Sequence, residues 1–239
     1  MKKRLILSAV VASVLLTALG GTAYADIRPA DEASPVIEIS KADKTGDVRV
    51  ESYKTANVSN RVNQSVALDH VDYRVDRTAQ TLTITYPVQR VLTSDRYRQY
   101  AITLIASERN HEDSQIALVM SPAHKSRVLV ISSGNDFEEE RCVGGTTATD
   151  AVADTITQTV PFSCLGGITH GSLRSAVGVE NTKGRDIAWD VTRFTRDVPL
   201  TAYVAPPADP EPTEPTPTDP APTDPDPTDP APADLAPFN

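Results

Sequence analysis

The chain has 239 residues, and its 32 acidic side chains outnumber 23 basic ones, giving a formal net charge of −9. This balance argues against a nucleic acid partner, because neutralising phosphates needs clustered Lys and Arg. Hydrophobic residues make up 39% of the chain, which is enough for one domain with a sizeable core.

Residues 1–25 have the pattern of a secretory signal peptide. A basic start, residues 1–4, precedes an apolar run over 5–19, and small residues then end in Ala23-Tyr24-Ala25. The apolar run is about fifteen residues long, short of the roughly 20 that a membrane-spanning helix needs. We therefore expect cleavage before Asp26 and a secreted, extracellular protein without a membrane span.

The centre of the chain shows a hydrophobic period of two. Residues 26–42 form an N-terminal lead-in, and residues 43–205 carry the alternation. Short alternating or β-branched runs predict strands at 48–51, 71–75, 82–86, 100–104, 116–119, 128–131, 155–160, 175–179 and 187–189. Strands this short, separated by turn residues, predict one all-β domain: an antiparallel β-sandwich of jelly-roll or immunoglobulin-like type.

One hairpin is especially clear, since residues 71–77 and 81–86 alternate on either side of Arg77-Thr78-Ala79-Gln80. Its buried face should consist of Val71, Tyr73, Val75, Leu82, Ile84 and Tyr86. Helix signals are few: residues 94–107 fit a helix or a strand, and 147–154 at most one helical turn. The sequons at Asn57 and Asn63 predict an exposed polar stretch.

The chain has two cysteines, Cys142 and Cys164, so only one intramolecular pairing exists. In an oxidising compartment a structural disulfide is the expected state. A catalytic or metal-binding role would need a C-x-x-C motif or further ligands at suitable spacing, and the sequence around these residues has neither.

Residues 206–239 hold 13 of the 19 prolines and eight carboxylates, with no Lys or Arg. Proline at this density forbids helix and central strand, and like charges repel. We expect an acidic, proline-rich, disordered tail. It is either a spacer that carries the domain through or away from a cell wall, or a passive solubilising appendage.

Two stretches carry a family resemblance. Asp43-Lys44-Thr45-Gly46-Asp47, followed by an aspartate-led strand and the hairpin, resembles the opening of carbohydrate-binding-module-like or DOMON-like jelly-roll modules. The segment at 160–166, Val-Pro-Phe-Ser-Cys-Leu-Gly, is similar to one in uncharacterised secreted actinobacterial β-sandwich proteins. The resemblance spans most of 43–195. It implies a β-sandwich, export, and sugar or small-ligand binding without catalysis, although one Trp and four Phe offer few stacking platforms for sugars.

Asp43, Asp47 and Asp69 are candidate calcium ligands, because hard carboxylate oxygens suit this ion. The alternative is that Asp43 and Asp47 only form an Asx-type turn around Gly46. No other cofactor is expected.

Catalytic signals are weak. Glu138-Glu139-Glu140 fits a solvated strand edge better than a glycosidase pair, which needs two carboxylates roughly 5 to 10 Å apart across a cleft. The four histidines, His70, His111, His124 and His170, form no metal-binding motif, and no G-x-S-x-G elbow occurs. We assign no catalytic residue.

These observations favour a secreted, monomeric, non-catalytic binding module or surface protein. Its partner would be a glycan, a cell-wall polymer or a protein, and the protein would be extracellular or associated with the wall. The alternative is a secreted hydrolase whose site assembles only in three dimensions.

Overall fold

The computed structural model describes residues 29–44, 48–50, 60–93, 97–107, 115–120, 128–133, 137–181 and 186–205. The strands there are β1 (Val36–Ala42), β2 (Arg49–Val50), β3 (His70–Asp76), β4 (Thr81–Pro87), β5 (Tyr97–Ala106), β6 (Gln115–Met120), β7 (Val128–Ser133), β8 (Phe137–Arg141), β9 (Thr146–Asp150), β10 (Thr155–Pro161), β11 (His170–Asn181), β12 (Asp186–Val191) and β13 (Asp197–Pro199). Two short helices, α1 (Pro29–Glu32) and α2 (Asn60–Val66), accompany them.

The strands form two antiparallel sheets, which confirms the predicted all-β sandwich. One sheet has five strands in the order β1-β3-β4-β10-β9. The other has eight strands; seven follow the order β2-β12-β11-β5-β6-β7-β8, and β13 also pairs with β11. The predicted signal peptide and proline-rich tail lie outside the described residues. No helix among the described residues is long and apolar enough to cross a membrane.

The core lies between the sheets and draws large apolar side chains from both. The predicted hairpin is confirmed: β3 and β4 pair from Asp72–Thr85 to Asp76–Thr81, and their six inward side chains are buried. The opposing sheet contributes fully buried residues of β5, β6 and β11. These are Ala101, Ile105, Leu118, Leu173, Val177 and Val179.

The sandwich begins earlier than the sequence predicted. The lead-in assigned to 26–42 contains β1, which pairs with β3 along its whole length, for example Ile37 with Val75 and Ile39 with Tyr73. Ile37 is buried and Ile39 packs partly against the core. The start predicted at Asp43 was therefore too late, since β1 forms an edge of the five-stranded sheet.

Two short segments also differ from the predictions. The stretch expected to hold one helical turn forms β9 and the turn 151–154 instead. The sequon at Asn63 lies in α2, where Val62 and Val66 are one turn apart and buried. Ser65 of that sequon is fully buried, so this stretch is not simply exposed.

The sequon at Asn57 lies outside the described residues. The ambiguous region 94–107 is a strand, β5, where it is described.

A disulfide joins Cys142 to Cys164, as predicted, with their Cα atoms 5.4 Å apart. Cys142 follows β8 of the larger sheet and precedes β9 of the smaller one. Cys164 ends a 3-10 turn (Phe162–Cys164) on the return from β10 to β11. The bond therefore ties together two connections that cross between the sheets.

Candidate binding surface

The outer side of the five-stranded sheet carries a regular array of threonines. On β4 and β10 the inward positions are occupied by buried residues such as Ile84 and Ile156, so the alternate positions face away from the core. Pro87 and Pro161 occupy two of the eight outward positions on these strands, and the other six positions are threonines. We call them the threonine face: Thr81, Thr83, Thr85, Thr155, Thr157 and Thr159.

The register aligns these threonines across the two strands. Thr83 lies opposite Thr159, and Thr85 opposite Thr157. The hydroxyl oxygens of Thr83 and Thr159 are 3.4 Å apart, within hydrogen-bonding distance. Strand geometry spaces the side chains by about 4.8 Å across the strands and about 6.7 Å along them. The face thus presents hydroxyl and methyl groups in a repeating pattern, and none of its six members is charged.

Charged side chains lie along one flank of the threonine face, on β3 and β1. Arg74 Nη1 is 2.6 Å from Glu38 Oε1, and its Nη2 is 3.6 Å from Asp76 Oδ2. His70 Nε2 is 3.3 Å from Asp72 Oδ2. These pairs are largely exposed, so each contributes at most about 1 kcal/mol to stability. The side chains of these pairs contact one another, and the uncharged threonines of β4 lie beside them, nearer the centre of the sheet.

The calcium candidates are only partly brought together. Asp43 N donates to Asp69 O at 2.9 Å, so these two residues adjoin, but the Asp69 side chain is exposed. Asp47 lies outside the described residues. No group of three or more His, Cys, Asp or Glu side chains in the described part of the chain could hold a metal ion.

The remaining sequence candidates are dispersed. The run Glu138-Glu139-Glu140 lies in β8, the outermost strand of the larger sheet, and Glu140 is exposed. His170 Nε2 is 3.2 Å from Glu32 Oε1, whereas His70 pairs with Asp72 on the smaller sheet. His111 and His124 lie outside the described residues. The structure therefore assembles no site from these groups within its described part.

A buried polar network, which sequence reasoning missed, links the two sheets. Tyr73 Oη donates to Ser175 Oγ at 2.8 Å, and Ser175 Oγ lies 2.7 Å from Thr103 Oγ1. Thr103 Oγ1 is 2.6 Å from Tyr86 Oη, which donates to Gln158 Oε1 at 3.0 Å. All five residues are at most 1% exposed. Polar residues at inward positions, such as Gln158 within Thr-Ile-Thr-Gln-Thr-Val, were the signal available in the sequence.

Burial dominates the electrostatics of this network. It raises the pKa of Tyr73 to about 12, although hydrogen bonds with Ser175 and Thr192 act in the opposite direction. Burial also raises the pKa of Tyr86 strongly, against the effect of its bond with Thr103. Both phenols are therefore neutral donors at physiological pH. The network positions the two sheets on each other, and it contains no carboxylate or imidazole to act as a base.

Arg77 forms a second buried polar cluster, where the two ends of the described chain meet. Arg77 is 5% exposed, and among the described residues its guanidinium donates to backbone carbonyls. The acceptors and distances are Glu32 O (2.7 Å), Thr201 O (3.1 Å), Asp31 O (3.2 Å), Ser34 O (3.2 Å) and Ala202 O (3.5 Å). Beside it, Arg196 binds both carboxylate oxygens of Asp31 at 2.8 and 2.9 Å. This cluster, which we call the Arg77 hub, is structural.

Among the described residues, the aromatic side chains that sugar binding would favour are buried or half-buried. Trp189 is 8% exposed and lies on the outer side of the larger sheet. Gly178 of β11 pairs with Trp189 of β12 on one side and with Tyr100 of β5 on the other. The Tyr100 ring lies over Gly178, where an added Cβ would come within 2.2 Å of it. Trp189 Nε1 is buried without a hydrogen-bond partner among the described atoms.

No protein family model matches this chain, and the search among curated proteins found no relative.

Proposed function

We propose that the protein is a secreted, non-catalytic β-sandwich module that binds an uncharged repetitive polymer, such as a glycan of a cell surface or wall, through the threonine face. The observation that carries this proposal is the array of six outward threonines on two adjacent strands. Export is supported by the signal-peptide pattern of residues 1–25 and by the disulfide, which persists in oxidising compartments.

The chemistry of threonine suits such a ligand. Each hydroxyl both donates and accepts a hydrogen bond, and each γ-methyl offers a small apolar contact. Sugar rings present the same combination of hydroxyls and C–H groups along a repeating chain. The threonine face itself carries no aromatic side chain and each hydroxyl or methyl contact is weak, so affinity would come from many contacts along one polymer. The resemblance to carbohydrate-binding-module-like domains supports the same class of ligand.

The alternative of a secreted hydrolase gains less support. A glycosidase acid needs a carboxyl group whose pKa is raised so that it holds its proton at working pH. The pKa of the Asp150 carboxyl group is shifted in the opposite direction, downward. The amides of Ala153 and Val152 donate to this carboxylate and lower its pKa. That carboxylate caps a turn.

The test is co-sedimentation of the full-length mature protein with insoluble chitin and with insoluble cellulose, both uncharged polymers. Thr157→Glu places a negative charge at the centre of the threonine face, between Thr85 and Ala148. Thr78→Glu makes the same change in the exposed turn before β4 and is the matched control. We expect the wild type and Thr78→Glu to bind one of the polymers, and Thr157→Glu to bind at least severalfold less at an unchanged melting temperature. Equal binding by all three proteins, or binding to none of the polymers, would contradict the proposal.

A further inference from the structure

The outward side chains of the five-stranded sheet line up in rows that cross its strands. Two neighbouring rows each contain one residue from β3, β4, β10 and β9. The first row is Asp72, Thr85, Thr157 and Ala148, and the second row is Arg74, Thr83, Thr159 and Thr146. Residues within a row are about 4.8 Å apart, and the two rows lie about 6.7 Å apart along the strands. Together the rows form a track that crosses four strands.

The β3 end of each row carries a charged side chain that is accessible to solvent. The side chains of Asp72 and Arg74 are 47% and 49% exposed. His70 Nε2 is 3.3 Å from Asp72 Oδ2, and Arg74 Nη1 donates to Glu38 Oε1 at 2.6 Å. These contacts restrict both side chains before a ligand arrives, which reduces the conformational entropy lost on binding. Because a carboxylate accepts hydrogen bonds and a guanidinium donates them, this end of the track offers both kinds of partner to a hydroxyl group.

Prolines limit the hydrogen bonding that a ligand could make along the strands. Pro87 occupies the outward position after Thr85 on β4, and Pro161 the one after Thr159 on β10. The proline side chain is a hydrocarbon ring without a polar group. A chain of sugar rings lying along β4 would therefore meet three threonines and then a proline. A chain that follows the second row across the strands would meet four hydrogen-bonding side chains, one of them charged and so able to form a stronger bond.

We propose that the polymer crosses the strands between the two rows, with one sugar ring over each strand, and that Asp72 and Arg74 bind it together with the threonines. A hydroxyl of the ring over β3 donates to Asp72, and another accepts from Arg74. The rings over β4 and β10 lie between paired threonines. The ligand is therefore an extended glycan with hydroxyls on both edges of its rings. This inference rests on the proposed function and adds to it the direction of the polymer and two charged binding residues.

A matched pair of threonine variants tests the direction of the polymer by co-sedimentation with insoluble cellulose and insoluble chitin. Thr85→Val removes a hydroxyl from the first row. Thr81→Val makes the same change on the same strand but outside both rows, where Thr81 pairs with Asp76 and Pro161. We expect Thr85→Val to bind roughly three- to tenfold more weakly, the effect of one neutral hydrogen bond, and Thr81→Val to bind as the wild type does. Equal losses in the two variants would mean that the polymer lies along β4, which overturns the proposal.

The role of the charged end is tested in the same assay. Asp72→Asn keeps the size of the side chain and removes its charge, so we expect binding to weaken by about tenfold. Asp69→Asn is the matched control, because Asp69 is exposed, precedes β3 and belongs to neither row. It should bind as the wild type does, and the melting temperatures of both variants should equal that of the wild type. Unchanged binding by Asp72→Asn refutes the assignment.

The assay separates failure of this inference from failure of the proposed function. If the wild type binds neither polymer, the proposed function is wrong and this inference falls with it. If the wild type binds and Thr157→Glu does not, while Thr85→Val and Asp72→Asn bind as the wild type does, the threonine face is the binding surface but the polymer does not follow the two rows.

Discussion

Replacing Arg77 with methionine tests whether the Arg77 hub fastens the segments 31–34 and 201–202 to the sandwich. The substitution keeps an unbranched side chain but removes all the donors. The carbonyls of Glu32 and Thr201 accept the two shortest bonds, at 2.7 and 3.1 Å. A hydrogen bond to a charged group contributes roughly 1.5–3 kcal/mol, and the relieved desolvation of a buried cation offsets part of the loss. We expect a net cost of about 3 kcal/mol.

Urea and thermal unfolding measure this cost. For a domain of this size, about 3 kcal/mol corresponds to a fall in melting temperature of roughly 6–12 °C. Arg77→Lys keeps the charge but offers fewer well-directed donors, so its loss should be intermediate. Hydrogen exchange supplies a local readout, because Tyr203 N donates to Arg77 O, and its amide should lose protection in the methionine variant.

Arg74→Met is the matched control. Arg74 lies three residues earlier, on the exposed side of β3, and its partners there are Glu38 and Asp76. An exposed pair of this kind contributes at most about 1 kcal/mol. If Arg77→Met destabilises the protein no more than Arg74→Met does, the reasoning about the hub is wrong.

Two further predictions concern the disulfide and the buried phenols. Replacing Cys142 and Cys164 together by serine should lower the free energy of unfolding in urea by about 3 kcal/mol, since the bond closes a loop over a separation of 22 residues. A loss below about 1 kcal/mol would show that the two crossing connections keep their structure without the disulfide. The pKa of Tyr73 is raised from 10.0 to about 12. A raised folded-state pKa gives stability that is fully present below pH 10 and is lost as pH rises towards 12. Tyr73→Phe should make this alkaline loss shallower, leaving the part due to Tyr86, and identical slopes in the two proteins would contradict the assignment.

The sequence predicted the hairpin of β3 and β4 well because every second residue there is apolar and each inward position is buried. Alternation of apolar and polar residues does not reveal an element whose residues are nearly all polar or that is very short. The strand β9 contains no large apolar residue, and it lies at the end of the described five-stranded order, beside β10. The helix α2 has only Val62 and Val66 to mark its inward side. Strand β13 is three residues long.

The threonine face could be predicted only in part. The repeats Thr81-Leu82-Thr83-Ile84-Thr85 and Thr155-Ile156-Thr157-Gln158-Thr159 each show that one side of a strand is threonine. That β4 and β10 are neighbours could not be deduced, because about 70 residues separate them and the pairing depends on the whole sheet order. The Arg77 hub was equally inaccessible, since backbone carbonyls from distant segments leave no trace in a side-chain pattern.

The Arg77 hub also determines how the domain responds to force. Arg77 N donates to Pro35 O, and Arg77 O accepts from Tyr203 N, so the described chain enters and leaves the sandwich at adjoining points. Tension applied between residues 35 and 203 acts first across these bonds and the guanidinium contacts. The two sheets and the disulfide lie further along the chain than these contacts. We therefore expect the Arg77 hub to break under load before the strands of either sheet separate.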